Sequence, residues 1–303
     1  MPVVSIRHVT TYRYRRPVGF GEHRMMLRPL DSFDQRVLAC DLTITPEAAT
    51  RRQVHHVSGA TVDVARFAGR SEVLSVECLS RVEHTPSLDF ELETPWTPDA
   101  SHGPYDAYET GGLALATTPQ HPGAGEVSAW ARRFLPRPGE VRASMVLAEL
   151  TAAIRADFAY SLRLRGAPRR PQETLETRQG SCRDFAVLLM EAARSLGLAS
   201  RFVTGYVYST APGARRAGGG HTHAWAQVYV PGCGWTDFDP TNGIIGNADL
   251  IRVAAVDQPR LAVPLYGTWD GEAADFMGMD VTVELETAPI LQPLSQLRVA
   301  ASN

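Results

Sequence analysis

Three residues in this chain are of the types and in the order that covalent acyl chemistry needs. Cys182 stands in the run Gly180-Ser181-Cys182-Arg183-Asp184-Phe185, at the head of a stretch with helical periodicity. His223 follows in Thr222-His223-Ala224-Trp225, and Asp239 in Trp235-Thr236-Asp237-Phe238-Asp239-Pro240-Thr241. A cysteine, a histidine and an aspartate are the parts of a thiol nucleophile, its base and the group that orients the base. If they meet in space, they pass an acyl group through a thioester. Only a thiolate attacks, and an ordinary thiol, with a pKa of about 8.5, is mostly protonated at neutral pH. A cysteine in the first turn of a helix faces unpaired backbone N–H groups and the positive end of the helix dipole, and both favour the thiolate. A protonated imidazole beside it does the same. The backbone N–H of Cys182 can also point at a developing oxyanion.

These roles constrain the elements that carry them. Residues 182–196 read as a helix, with Ser181 suited to the N-cap and Asp184 to the N3 position of a capping box. Asp184 is assigned to capping and not to chemistry. Phe185, Leu188, Leu189, Ala192 and Leu196 repeat at helical spacing, and Gly197 suits the stop. His223 and Asp239 fall on two strands, 223–230 and 234–239, flanking the turn Pro231-Gly232-Cys233. Side chains alternate across a strand with period two. Pairing Val230 with Gly234 puts His223 and Asp239 on one face, whereas pairing Val230 with Trp235 puts them on opposite faces. The triad therefore predicts an odd-length loop, as in the first register, or a bulge here. Asp237 shares the parity of Asp239 but lies nearer the turn, which makes it the weaker candidate.

Each residue also has a structural reading. Cys182 is three positions before Phe185 and so lies beside the apolar stripe. His223 can be a satisfied polar residue at a strand start, and Asp239 before Pro240 can begin a turn. Their order and their strand–helix context favour catalysis. Zinc is the rival chemistry, with His221, His223, Cys182 and an aspartate as a ligand set. His-x-His alone is a weak signal and no third histidine follows at ligand spacing, so no metal is expected. In the loop Ala211–Gly220, Arg215 and Arg216 could recognise an acidic group, although such loops are more often simply solvated.

The remaining sequence bounds the molecule. Its 303 residues are 44% hydrophobic with a net charge of −3, which suits a globular protein and gives no sign of a nucleic-acid or membrane partner. Every basic residue counted is arginine; there is no lysine. Met1 to Arg16 alternates polar and apolar residues without the apolar core of a signal peptide, and no run is long enough to span a membrane, so a cytoplasmic protein is expected. Cys40 and Cys78 sit on alternating apolar faces as core residues, and Cys233, in a Pro-Gly-Cys-Gly turn, is expected to be exposed. Without a CxxC pair, neither a disulfide framework nor structural zinc is indicated.

Residues 1–90 read as β, with alternating runs at 6–14, 37–46, 61–67 and 72–83 that suggest a sandwich or small barrel. Residues 91–125, rich in proline and glycine, read as a linker. Residues 126–158 look helical in two pieces, broken by Pro136 and Pro138. A strand at 201–208 completes a core spanning 126–250. The segment 251–303 reads as a C-terminal extension with a strand at 280–286. The fold class is α+β, an N-terminal antiparallel β-sandwich followed by a core whose helix packs on an antiparallel sheet.

Four segments together resemble the transglutaminase-like superfamily: Gly180 to Asp184, Leu196 to Tyr206, His223 to Trp225, and Gly234 to Thr241. The resemblance implies a papain-like core with Cys182, His223 and Asp239 as the triad. His8-Val9-Thr10-Thr11-Tyr12-Arg13-Tyr14 and Arg28-Pro29 resemble the β domain that often precedes this core in bacteria, and Val263 to Trp269 is similar to the C-terminal extension of such proteins. Ala116-Thr117-Thr118-Pro119 departs from the family pattern, at a place expected to wall the substrate cleft. The reaction implied is acyl transfer on a peptide or isopeptide-like amide, with hydrolysis, as by a protease or amidase, expected over cross-linking to an amine. Tyr160 is placed as a helper that polarises the carbonyl oxygen. Trp225 is placed as a packing residue that could also seal the cleft. The partner is a peptide or protein substrate, and no cofactor is expected. Alternatives are transfer to an amine, an arylamine-type acetyltransferase, disfavoured because no glycine-rich phosphate cradle is present, and a non-catalytic peptide-binding member.

Overall fold

The computed structural model describes residues 2–98, 104–121, 123, 125–136, 139–209 and 216–288. Pro138, Ala211 and Arg215 lie outside the described residues. The alternating N-terminal runs form β1 (Val3–Met25), β2 (Gln35–Thr45), β3 (Thr50–His55), β4 (Thr61–Arg66) and β5 (Arg70–His84). The expected linker carries a helix, α1 (Ala107–Thr117), which the sequence hid behind Gly111 and Gly112 in its interior. Asp106 caps it, accepting from the N–H groups of Tyr108 and Glu109 at 2.8 Å each. Two helices follow, α2 (Gly125–Arg132) and α3 (Ala143–Asp157), on either side of Pro136. Next come β6 (Ala159–Tyr160), α4 (Pro171–Thr177) and β7 (Gln179–Gly180), the two short strands pairing in parallel. The core then runs α5 (Cys182–Ser195), β8 (Ser200–Val207), β9 (His223–Val230), β10 (Gly234–Asp239), β11 (Ile244–Ile245) and β12 (Leu250–Val256). The last of the described elements are β13 (Leu265–Asp270) and β14 (Phe276–Ala288).

Two antiparallel sheets organise these elements. The core sheet has the order β11-β10-β9-β8-β12. Ala224, Ala226 and Val228 of β9 share one hydrophobic cluster with Phe185, Leu188, Leu189 and Ala192 of α5, so the apolar stripe of the helix covers that face. The other sheet has the order β2-β5-β1-β4-β3, with β13 and β14 also pairing β1. The first half of β1 lies between β5 and β14, and its second half meets β4 and β13. The pairing with β5 shifts between Arg13 and Val18, across Pro17, a residue with no N–H for a ladder. The strand expected at 280–286 thus belongs to β14, which pairs with the N-terminal half of β1 and so joins the sheet that β1 begins. The molecule is α+β with an N-terminal antiparallel sheet, as the sequence indicated. No helix among the described residues is long and apolar enough to cross a membrane.

Contacts between the sheets are polar as well as apolar. His8 of β1 bonds through Nδ1 to the Tyr206 hydroxyl of β8 at 3.0 Å and through Nε2 to Thr10 Oγ1 at 2.9 Å. His84 of β5 is 2.7 Å from the Tyr208 hydroxyl. Arg252 of β12 donates to Asp237 Oδ2 at 2.9 Å and also to Asp34, which precedes β2. Gln35 donates to the Arg252 carbonyl at 2.8 Å, and the Arg252 N–H donates back to its Oε1 at 2.9 Å. Cys40 and Cys78 pack 3.7 Å apart between β2 and β5. Cys233, expected to be exposed, is half-buried and packs against the main cluster.

Candidate active site

Cys182 is the first residue of α5 and is 7% exposed. The capping box forms: Asp184 Oδ2 accepts from the N–H and the hydroxyl of Ser181, each at 2.8 Å. Asp184 does more than cap. Its Oδ1 accepts from Arg163 Nη2 at 2.5 Å and from the Arg169 N–H at 2.7 Å, so it also fixes the 163–169 loop beside the cysteine. Arg183 holds the same loop by donating to the carbonyls of Gly166 and Arg163.

The strand register is the one the triad required. Val230 pairs with Gly234, and Phe238 with Ala226, which places His223 and Asp239 on one face of the sheet. Their side chains meet: His223 Nε2 donates to Asp239 Oδ2 at 2.8 Å, with both side chains fully buried. Burial by itself would lower the imidazole pKa. The Asp239 carboxylate, and after it the adjacent Cys182 thiol, reverse this and push it up to about 10. The imidazole is therefore a cation at neutral pH. Its Nδ1 is buried with no hydrogen-bond partner, which leaves that nitrogen for Cys182.

Asp239 is clamped from three directions. Burial would push its carboxyl up, but the imidazole, Asn242 and the Thr241 N–H hold it below the usual carboxylate range. Asn242 Nδ2 donates to Asp239 Oδ2 at 2.8 Å, and the Thr241 N–H donates to Oδ1 at 2.9 Å. Asn242 also exchanges hydrogen bonds with the backbone of Ala217, at 2.8 and 3.1 Å. That contact carries the loop holding Gly218 onto the histidine. A Cβ on Gly218 would lie 2.6 Å from His223 Nδ1, and its φ is +83°. Sequence reasoning missed both Asn242 and Gly218. Their only signals were the glycine-rich loop before His223 for Gly218 and the turn-forming run after Asp239 for Asn242.

Other expected residues fall into place differently. Asp237 does not join the histidine; it accepts from Trp225 Nε1 at 2.5 Å and from Arg252. Trp225 is fully buried and lies nearly parallel to the imidazole, ring centroids 5.9 Å apart and planes 26° apart. It backs the ring from inside the sheet and does not line the cleft. Tyr160 does line it, and its hydroxyl is buried without a hydrogen-bond partner. Burial, reinforced by Cys182 and Asp239, keeps that phenol protonated by raising its pKa. His221 binds the Val281 carbonyl through Nδ1 at 2.9 Å, and among the described residues no three His, Cys, Asp or Glu side chains converge as metal ligands. Arg216 is engaged by Asp249, with Nε donating at 3.0 Å, so it is not free for an acidic ligand. The Ala116–Pro119 segment is not a cleft wall. Its Ala116 carbonyl accepts from Arg194 Nε at 3.0 Å, at the far end of α5 from Cys182.

The cleft encloses about 600 Å³ and runs from Cys182 and His223 to β1 and β14. His8, Thr10 and Tyr12 of β1 form one wall, so the N-terminal sheet is part of the site. Burial lowers the His8 pKa to about 4, which makes it a neutral hydrogen-bonding group there.

The fold and the buried Cys–His–Asp cluster define a papain-like cysteine-dependent protein. The sequence model of the transglutaminase-like superfamily matches residues 139–240, and that of the bacterial transglutaminase-like N-terminal region matches residues 4–83. An uncharacterized protein of Mycobacterium tuberculosis is 31% identical over 289 residues, covering 89% of this chain and 90% of its own. One of Mycobacterium leprae is 27% identical over 284 residues, covering 93% and 98%. A solved structure of a candidate cysteine protease from Cytophaga hutchinsonii superposes with a TM-score of 0.69 at 19% identity, covering 96% of this chain and 92% of that one. The chain belongs to the transglutaminase-like superfamily.

Proposed function

We propose that this protein hydrolyses a peptide or isopeptide-like amide through a thioester on Cys182. The observation that carries the reading is the buried His223–Asp239 pair, 2.8 Å apart, whose imidazole keeps a buried, unbonded Nδ1 beside the thiol at the head of α5. In the first step the Cys182 thiolate attacks the carbonyl carbon, and a sulfur–carbon bond forms. The Cys182 N–H and the Tyr160 hydroxyl are the donors for the oxyanion. His223 then gives its Nδ1 proton to the leaving amine as the carbon–nitrogen bond breaks. In the second step neutral His223 takes a proton from water, whose oxygen displaces the thiol and releases the acid. Asp239 holds the ring and stabilises its charge throughout.

Water is favoured over an amine acceptor because no aspartate or glutamate lines the cleft among the described residues, so nothing there would hold an ammonium-bearing side chain. The peptide or protein substrate and the cytoplasmic setting remain part of this reading. The test is to incubate the protein with a peptide mixture, quench in acid and analyse the Cys182 peptide by mass spectrometry. An acyl adduct on Cys182 that vanishes in Cys182→Ala is expected. Absence of any adduct, together with native alkylation of Cys182 no faster than that of Cys233, overturns the mechanism. Turnover with added hydroxylamine or a primary amine then reads the acceptor: free acid as the main product supports hydrolysis, and amide exchange as the main product supports transfer.

A further inference from the structure

The cleft that ends on Cys182 has a lopsided charge. Four arginines line it (Arg163, Arg165, Arg183 and Arg260), and among the described residues no carboxylate does. Arg163 is neutralised by Asp184. Among the described residues the other three form no ion pair with a carboxylate, although Asp184 acts on Arg183 from nearby. Arg183 spends its donors on three main-chain carbonyls, those of Gly166, Arg163 and Arg165, at 2.7, 2.5 and 3.3 Å. Arg165 lies over the ring of Phe276, 4.4 Å from its centroid. Arg260 reaches the amide oxygen of Gln258 at 2.7 Å.

Elsewhere several guanidinium groups are paired, among them Arg7 with Glu77, Arg13 with Asp280, Arg16 with Asp275, and Arg51 with Asp63. What sets the cavity apart is that four arginines converge on it while, among the described residues, no carboxylate lines it, in a chain whose net charge is −3. Two of the arginines are held rather than loose, since Arg183 is stapled to a loop and Arg165 is stacked. The remaining lining is largely apolar, including Leu162, Leu164, Phe276 and Met279. Cations set in low-dielectric walls focus the field into the cleft and raise the local concentration of anions.

We propose that the acyl donor is an acidic peptide, carrying a carboxylate close to the amide that Cys182 attacks, and that Arg165 and Arg260 select it. This rests on Cys182 being the nucleophile. The two ideas separate when thiol reagents of one chemistry and different charge are used on the full-length protein. Sulfonatoethyl, trimethylammonioethyl and plain methyl methanethiosulfonate react alike: the thiolate attacks the sulfenyl sulfur, a disulfide forms and methanesulfinate leaves. The rate at Cys182 is followed by mass spectrometry of its peptide, with free cysteine as the reference thiol.

Relative to free cysteine, the anionic reagent should gain about tenfold or more over the cationic one at low salt. The preference should shrink at about 1 M salt, where screening acts within about 3 Å. It should fall several-fold in Arg165→Gln/Arg260→Gln while the rate with the uncharged reagent holds. Arg260→Gln alone, at an exposed position, gives the same reading if the double variant folds poorly. A charge ratio equal to that of free cysteine, with Cys182 reactive to the uncharged reagent, overturns the acidic donor and leaves the nucleophile standing. A Cys182 that reacts with none of the three overturns the nucleophile, and the acidic donor with it.

Discussion

At the scale of single residues, the site works because one imidazole is fixed from several sides. Asp239 holds Nε2, Trp225 backs the ring and Gly218 closes over Nδ1. Replacing Asp239 by Asn removes the carboxylate that raises the imidazole pKa, and can fix the wrong tautomer. We expect turnover to fall about 10²- to 10⁴-fold, and the alkaline limb of the kcat/KM profile to move down from near pH 10. The sign for stability follows from the same proton. The folded pKa, near 10, lies above the unfolded value of about 6.5. The contribution is therefore full below pH about 6.5 and is lost as pH rises through 10. Urea midpoints between pH 7 and 10 should decline more steeply for the native chain than for His223→Gln. Gly218→Ala meets both a positive φ and the ring nitrogen. It should lower kcat at least tenfold while leaving the far-ultraviolet circular dichroism unchanged.

At the scale of elements, two strands and one helix end bring the three residues together. The β9–β10 register fixes the common face of His223 and Asp239, and a one-residue slip would invert it. Inserting one residue between Gly232 and Cys233 should therefore abolish activity in protein that remains soluble, measured by acyl-adduct formation on Cys182. Close packing behind the histidine depends on Gly205 of β8. A Cβ there would lie 2.0 Å from the Ile251 carbonyl oxygen and 2.7 Å from the Trp225 ring. Gly205→Ala should cost about 1–3 kcal/mol or more, since backbone cannot yield as a flexible side chain can; the check is a denaturant titration. The 163–169 loop, tied by Asp184 and Arg183, shows how one helix start can serve both as cap and as anchor for a cleft wall.

At the scale of the molecule, the N-terminal sheet is built into the site. His8, Thr10 and Tyr12 wall the cleft, and Arg252 ties Asp237 beneath the site to Asp34 before β2. Asn247 completes this buried network, donating to Asp34 at 2.5 Å. Removing the cation strands two buried carboxylates, so Arg252→Met should destabilise the fold by about 3–5 kcal/mol. Burial opposes ionisation of Asp34, but Arg252 overrides it and lowers the pKa. That contribution is present above the unfolded value of about 3.9 and is lost as pH falls through the folded value. The acid limb of stability should accordingly flatten in the Arg252→Met variant, as followed by urea midpoints between pH 3 and 6.

The sequence by itself determined the order of the nucleophile, base and orienter, the capped helix start at Cys182 and the register condition on β9 and β10. Those are short-range facts: capping, periodicity and strand parity are set within a few residues. It also carried the family resemblance, because the same short motifs define it. Tertiary structure alone decided that Asn242 clamps Asp239, that Arg216 is engaged by Asp249, that Asp237 answers to Arg252, and that β1 walls the cleft with β14 beside it. It also placed α1 within the segment read as a linker, with a cap at Asp106 that offsets the glycines inside it. These outcomes depend on groups as far apart in the chain as Asp34 and Arg252. No local pattern records which buried charges will meet, because that follows from burial, where an unpaired polar group is costly and must find whatever partner the fold brings near.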